Sequence, residues 1–158
     1  MKLKHLLGPI LGMLAVCVAG SSYPAWAGPP TDACSLLTPA QVSSVLAVSV
    51  DAGQRVVPNS PLLCGWEPGS SAGHSKRVVA AIIKMDQFTN EKTPLPGVTE
   101  KQAKGIGDEA HYMTTPGFGT GLSVRKGNFA FKIRVYGFAP DEIEVKERAL
   151  ALDVLAKL

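Results

Sequence analysis

Residues 32–42 read DACSLLTPAQV, and this stretch decides where the fold begins. The Thr38 hydroxyl can cap a helix, and Pro39 suits the first helical position, where a backbone N–H has no partner to lose. Gln41 follows Thr38 by three residues, which is the spacing of a capping box. The stretch therefore predicts a first helix from about Pro39 to Ala47.

Two cysteines flank this helix in the sequence. Cys34 precedes it, and Cys64 follows within the short stretch Cys64-Gly65-Trp66. The third cysteine, Cys17, lies in the predicted signal peptide, so two remain. An even number of cysteines in an exported chain is typical of a disulfide, whereas reactive thiol pairs usually form a C-x-x-C motif. We therefore predict a structural disulfide between Cys34 and Cys64, with Trp66 on the same face of its strand as Cys64.

Residues 1–27 have the form of a signal peptide. Basic residues open the chain, an apolar run follows from Leu6 to Gly20, and Ala25-Trp26-Ala27 has the small-x-small pattern of a cleavage site. The apolar run is too short to predict a membrane span. Cleavage after Ala27 would leave a single exported domain at 28–158, periplasmic or secreted from a bacterium.

The alternative to cleavage is a lipoprotein anchored through Cys17. Val16 is bulkier than the residue that usually precedes a lipidated cysteine, which disfavours the anchor.

The net charge of the exported domain is close to zero. Cleavage of the signal peptide removes Lys2 and Lys4, so the 16 Lys+Arg become 14 against 13 Asp+Glu and the net charge falls from +3 to +1. This balance gives no electrostatic reason to expect a nucleic-acid partner.

The apolar patterns predict an α+β domain. Residues 77–84 form an apolar run typical of a central strand, and residues 122–125 and 129–136 predict a hairpin through a short Gly-containing turn. In the second hairpin strand, alternation places one face on the core and one toward solvent. A C-terminal helix begins at Pro140. Because the strand connections are short, we expect a curved, mainly antiparallel sheet of about five or six strands with an N-terminal and a C-terminal helix packed on it.

Three segments give weaker patterns. Residues 86–92 fit one or two helical turns with Asp86 as the N-cap, and residues 98–104 fit either a short helix or a loop. Residues 116–121 read PGFGTG. Because a strand rather than a helix follows, we interpret them as a mobile connection and not as a phosphate-binding loop.

Three motifs taken together resemble a group of small exported bacterial proteins and lipoproteins of unknown function. The motifs are D-x-C-S-L-L-T from Asp32, C-x-W from Cys64, and G-x-G-D-x-A from Gly105. Many actinobacterial lipoproteins have a similar outline. The resemblance implies a curved antiparallel sheet with packed helices, of the Mog1/PsbP-like kind, and implies no shared activity. The chain departs from the lipoprotein members because it lacks a good lipidation site.

Two stretches of the sequence contain residue types found in catalytic or metal sites. Residues 69–73 match G-x-S-x-G with His74 directly after them, but the nucleophile elbow requires a strand-to-helix turn in a large parallel sheet. Asp108, Glu109 and His111 could supply metal ligands, yet no repeated ligand spacing supports a site. We expect no metal, no cofactor and no catalytic residue, and we interpret Asp108 as the cap of a turn.

Six residues are candidates for binding a partner. Phe118 is the only aromatic residue of the glycine-rich segment 116–121, and a cationic and aromatic row follows on the outer face of the predicted hairpin. This row could bind an anion such as a lipid headgroup, or could be an ordinary solvated sheet face. The full candidate set is Phe118, Arg125, Lys126, Lys132, Arg134 and Tyr136.

These observations predict an exported, non-enzymatic domain that binds a protein or a cell-envelope component. The alternative is a carrier of a small lipid or anion, with a pocket between the sheet and a helix. A hydrolase is the least favoured, because no nucleophile–base pair emerges from the sequence.

Overall fold

The computed structural model describes residues 28–69, 76–93 and 95–158. The predicted signal peptide with Cys17, and the G-x-S-x-G serine Ser71 with His74, lie outside these ranges. The described helices and strands, in chain order, are a 3₁₀ helix Ala33–Ser35, α1 Pro39–Leu46, β1 Gln54–Arg55, β2 Leu63–Trp66, β3 Arg77–Ile83, α2 Met85–Asn90, β4 Thr99–Gln102, β5 Glu109–Thr115, β6 Gly119–Lys126, β7 Phe129–Tyr136 and α3 Pro140–Leu155.

Helix α1 begins with the predicted capping box. The Gln41 backbone N–H donates to Thr38 Oγ1 at 3.3 Å, and the Thr38 N–H donates to Gln41 Oε1 at 2.9 Å. The helix ends at Leu46, and the next residue, Ala47, has a φ of 54°, in the left-handed region, which closes the last turn. Its buried face consists of Val42 and Leu46.

The predicted disulfide is confirmed. Cys34 and Cys64 are bonded with their Cα atoms 5.0 Å apart, so the 3₁₀ helix is tied to β2. Trp66 is fully buried on the same face of β2 as Cys64. Gly53 completes the packing, because a Cβ at this position would lie 2.6 Å from the Trp66 ring and 2.8 Å from Cys64 Sγ.

The seven strands of the described residues form one antiparallel sheet in the order β1-β2-β3-β7-β6-β5-β4. The predicted α+β class, the antiparallel pairing and the two terminal helices are confirmed. The sheet has one strand more than the largest predicted number. The additional strand is β4, so the prediction of a helix or loop at residues 98–104 is wrong. All four residues of β4 are exposed, and the strand is held by its backbone pairing with β5.

Two further boundaries differ from the sequence-based prediction. Gly119, Thr120 and Gly121 belong to β6, where they pair with the end of β5, instead of a mobile connection. Asp86 does not cap α2, because Lys84 occupies the N-cap position and makes no side-chain cap hydrogen bond. Asp86 instead accepts a hydrogen bond from the next backbone N–H, that of Gln87.

Helices α1 and α3 cover one side of the sheet, which we call the core face. Helix α3 lies over β6 and β7, and α1 packs against α3. As predicted, Phe129, Phe131, Ile133 and Val135 all face this core.

One carboxyl group is buried in this apolar layer. Glu147 on α3 has no exposed surface, and its Oε1 accepts a hydrogen bond from the Val135 backbone N–H at 3.0 Å. The β6–β7 pairing ends with Leu122 opposite Ile133, and Val135 lies two residues beyond Ile133 on β7. Among the described residues, Glu147 Oε2 has no hydrogen-bond partner. Burial raises the pKa of Glu147 to about 8, against the opposing effects of the Val135 N–H and the positive charge of Arg134.

Candidate functional site

The side of the sheet opposite α1 and α3, which we call the second face, is only partly covered by helix. The short helix α2 lies against β6 and β7, and its Phe88 packs on Ile83 and Ala130. The Phe88 ring also lies 4.8 Å, centroid to centroid, from the ring of His111 on β5. Within the described residues, six residues of helix therefore cover the second face of a seven-stranded sheet, and part of that face has no described segment above it.

The strand register arranges the second-face side chains in rows across the sheet. One row contains Ala81, Lys132, Ser123 and His111, on β3, β7, β6 and β5 respectively. Its Lys132, Ser123 and His111 all lie close to Glu91, at the end of α2. We call Lys132, Ser123, His111 and Glu91 the covered half of the second face.

The next two rows toward the end of β7 form what we call the open half. The first pairs Val79 with Arg134, and the second pairs Arg77 with Tyr136. Val79, Arg134 and Tyr136 are half-buried and Arg77 is exposed. The open half is therefore a mixed apolar, aromatic and cationic surface.

A groove of about 310 Å³ crosses the open half and reaches the side of α2. We call it the sheet groove. Its floor is aliphatic, and its polar groups come mainly from β7. The lining residues are Leu63, Val79, Ala81, Ile83, Gln87, Lys132, Arg134 and Tyr136.

Glu91 organises the covered half. Its Oε1 accepts from Lys132 Nζ at 2.6 Å, and its Oε2 accepts from Ser123 Oγ at 2.7 Å. His111 Nε2 lies 3.6 Å from the same Oε2, beyond hydrogen-bonding distance. Burial opposes the charged form of Glu91, but its interactions with His111, Lys132 and Ser123 outweigh burial and lower its pKa to about 2. The carboxylate therefore neutralises Lys132.

These groups do not form a hydrolytic site. Ser123 has no exposed surface, and His111 is only 2% exposed, so a substrate cannot reach either side chain. The Ser123 hydroxyl donates to the Glu91 carboxylate, whereas an activated serine donates to a histidine that acts as its base. The arrangement anchors α2 on the sheet.

Arg134 has a different environment from Lys132. All 13 Asp and Glu residues of the chain lie in the described ranges, and none of their oxygens is within ion-pair distance of Arg134. The side chain crosses Gly121, where a Cβ would lie 2.8 Å from both Arg134 Cγ and Arg134 Nε. Nε is buried and, among the described residues, has no hydrogen-bond acceptor. Arg134 is therefore a cation without a counter-ion at the wall of the sheet groove.

Arg77, the neighbouring cation, is already engaged. Its Nη1 lies 3.6 Å from Glu67 Oε1, and its guanidinium lies 4.6 Å from the centroid of the Tyr136 ring. The ring interaction holds the Tyr136 side chain beside the groove. Of the cations in the open half, Arg134 is the one that lacks a carboxylate among the described residues.

The structure divides the six predicted binding residues. Lys132, Arg134 and Tyr136 line the sheet groove together. Arg125 lies 3.5 Å from Glu109, and Lys126 Nζ donates to Asp108 Oδ1 at 2.9 Å, so both cations are paired outside the groove.

Phe118 is 71% exposed in the turn between β5 and β6, and it does not line the groove. The row on β7 is thus the part of the predicted set that the fold assembles into a concave surface.

The three metal-ligand candidates take separate partners. Asp108 accepts from Lys126 and from the Gly127 backbone N–H, as a turn cap does. Glu109 pairs with Lys92 and Arg125, whereas His111 faces the α2 side of the sheet. Within residues 28–69, 76–93 and 95–158, no three His, Cys, Asp or Glu side chains are grouped closely enough to hold a metal ion.

Sequence reasoning missed Glu91 as the partner of Lys132. The available signal was the i, i+3 spacing of Phe88 and Glu91, which places both side chains on one side of a helix. That spacing could not identify which strand the helix would contact. As a result, Lys132 and Arg134 looked equivalent in the sequence, although the fold neutralises only Lys132.

A wider depression of about 830 Å³ lies between α2 and residues 95–98. It is lined by side chains of both charges, including Lys84, Asp86 and the already paired Glu91. Among its described lining residues, no buried polar atom lacks a partner. The sheet groove is therefore the better candidate site. Separately, no helix in the described part of the chain is long and apolar enough to cross a membrane.

No family model matches the chain, and no curated protein or solved structure matches it significantly. The resemblance to small exported bacterial proteins and lipoproteins therefore stays a prediction. The candidate site depends on the geometry alone.

Proposed function

We propose that this chain is an exported, non-enzymatic domain that binds a segment of a partner protein in its sheet groove. The observation that carries the proposal is the open half of the second face. There an aliphatic floor and the unpaired Arg134 are left uncovered by α2. Aromatic and arginine side chains are enriched in protein interfaces, so a surface that combines them with an aliphatic floor favours a docked partner. The Cys34–Cys64 disulfide supports an oxidising compartment, periplasmic or secreted.

The shape of the groove favours a presented segment over a carried small molecule. Pockets that hold small ligands are about 300–1,000 Å³ and bury most of the ligand surface. The sheet groove has about 310 Å³ and lies on a half-exposed sheet face. Its volume is at the lower limit of that range, and its half-exposed setting supports contact with a few side chains of a short segment better than enclosure of a lipid chain.

The proposal is tested by selection of a phage-displayed heptapeptide library on the immobilised, oxidised protein. Enriched peptides are then tested on two variants that each add one carboxylate. Val79→Glu changes the groove floor, whereas Leu152→Glu changes an exposed position on α3 on the other side of the sheet. We expect enriched peptides to lose binding to Val79→Glu and keep binding to Leu152→Glu.

Circular dichroism checks that both variants fold. If Val79→Glu does not fold, Tyr136→Ala removes a groove wall without adding a charge and replaces it in the comparison. The proposal is contradicted if no peptide is enriched, or if the enriched peptides bind the groove variant as well as the wild type.

A further inference from the structure

We infer that Arg134 receives the carboxylate of an acidic side chain from the bound segment, and that an adjacent apolar side chain of the segment packs on Val79 and Ala81. This inference rests on the proposed function, because it names the chemistry that the sheet groove recognises. It stands on three observations: the missing counter-ion of Arg134, the number of free charges in the groove, and the arrangement of the groove floor.

The first observation is the state of the Arg134 side chain. Its Nε is buried without an acceptor among the described residues. The side chain lies against Gly121, and a residue larger than glycine at position 121 would displace it. A buried donor that loses its partner is costly, and more so in a charged group. The planar guanidinium offers two parallel N–H groups in a geometry that matches a carboxylate. Because the buried Nε is closed to a ligand, a carboxylate in the groove would pair with the two Nη groups, which make no hydrogen bond or ion pair within the described residues.

The second observation is the charge balance. Lys132 is neutralised by Glu91, and Arg77 lies beside Glu67. Arg134 therefore leaves one positive charge for a ligand. A carboxylate supplies one negative charge, whereas a phosphate monoester carries about 1.5 to 2 and would introduce an excess. The groove is matched to a monoanion.

The third observation is the floor beside Arg134. Val79 is the direct cross-strand partner of Arg134, and Ala81 is the partner of Lys132. Val79 lies on β3, on one side of β7, whereas the Arg134 side chain crosses Gly121 on β6, on the other side, so the apolar contact and the ion pair must come from different side chains of one ligand. A peptide segment in which an acidic residue adjoins a branched aliphatic residue provides both groups. A free inorganic anion provides only the charge.

The inference is tested with short peptides by nuclear magnetic resonance. The probe is N-acetyl-Val-Glu-Leu-amide, which carries a single negative charge. The matched comparisons are the peptide with Gln in place of Glu, the peptide with phosphoserine in that place, and inorganic phosphate. The Nε–H signal of Arg134 and the backbone amide signals of Val79 and Ala81 are followed during each titration.

We expect the Glu peptide to shift these three signals, and the Gln peptide to bind at least about tenfold more weakly, because it lacks the charge-assisted pair. Arg134→Lys keeps the charge and the aliphatic stem but loses the paired N–H groups, so it should weaken the Glu peptide about tenfold. Lys104→Gln removes one positive charge from an exposed position after β4 and should leave binding unchanged.

Each contrary result has a distinct meaning. Equal binding of the Glu and Gln peptides, tighter binding of phosphoserine or phosphate, or unchanged binding by Arg134→Lys overturns the carboxylate assignment. These results leave the proposed function standing if library peptides still require Val79. Absence of any shift with the Glu peptide at millimolar concentration also overturns the assignment. Failure of the library selection as well would overturn the proposed function.

Discussion

The buried carboxyl group of Glu147 makes a quantitative prediction about stability. The group has no exposed surface and uses one oxygen to accept the Val135 N–H, and burial raises its pKa from 4.5 to about 8. The folded chain therefore binds this proton more tightly than the unfolded chain does. The resulting stability is complete below about pH 4.5, decreases as the pH rises, and is fully lost above about pH 8.

The magnitude follows from proton linkage. The full change is at most about 5 kcal/mol, at about 1.4 kcal/mol for each tenfold change in proton affinity. Between pH 5 and pH 9 the same relation gives about 4 kcal/mol. Glu147→Gln can retain the hydrogen bond from Val135 but cannot ionise. The free energy of unfolding of wild type minus that of Glu147→Gln should therefore decrease by about 4 kcal/mol between pH 5 and pH 9.

The assay is urea unfolding at pH 5, 7 and 9 with the disulfide intact. Glu100→Gln serves as the control, because Glu100 is exposed on the edge strand β4, and we expect no comparable trend in that variant. If the difference between wild type and Glu147→Gln does not change with pH, the carboxyl group is not held in its neutral form by the core, and the reasoning is refuted.

Three further predictions concern the anchoring of α2, the packing around the disulfide and the disulfide itself. Glu91→Gln should destabilise the chain by about 1–3 kcal/mol at pH 7 in urea unfolding. Its deficit should shrink toward pH 3, because the lowered pKa of Glu91, about 2, provides stability above pH 4.5 that is lost on acidification. Gly53→Ala should cost about 1–3 kcal/mol through overpacking, whereas Gly69→Ala, with its nearest neighbour at 3.5 Å, should be tolerated. Replacing Cys34 and Cys64 by Ser should cost about 3–4 kcal/mol, since the bond closes a loop with a sequence separation of 30, and should lower the Tm by roughly 10 °C.

Each of these three predictions has a result that would contradict it. A Glu91→Gln deficit that is the same at pH 3 and pH 7 would show that the charge is not the stabilising feature. Equal stability of Gly53→Ala and Gly69→Ala would contradict the tight contact with Trp66. An unchanged Tm after removal of both cysteines would contradict a bond between the 3₁₀ helix and β2.

Local features of the fold were predictable because they depend on neighbouring residues. The capping box at Thr38 and Gln41 is complete within four residues, and alternation in β7 identifies its core face without reference to other strands. The disulfide was predictable because few cysteines were available. Strand β4 was not predictable, since its four exposed residues carry no apolar alternation and depend on pairing with β5.

The candidate site was only partly predictable for the same reason. The sequence places Lys132, Arg134 and Tyr136 on one side of β7, and the structure has them lining one groove. Which cation is free depends on Glu91, which lies 41 residues from Lys132 in the chain. Glu147 gave a usable signal, because it falls within the apolar stripe of α3 that includes Leu150 and Val154.

The central claim is that the open half of the second face is the ligand-binding surface of this domain. The most direct measurement is the change in backbone amide shifts when the tightest library peptide is added to the labelled protein. We predict that the largest changes occur at Val79, Ala81, Arg134 and Tyr136, in the sheet groove. Changes centred instead on α3, or on Ser123 and His111 beneath α2, would contradict the claim.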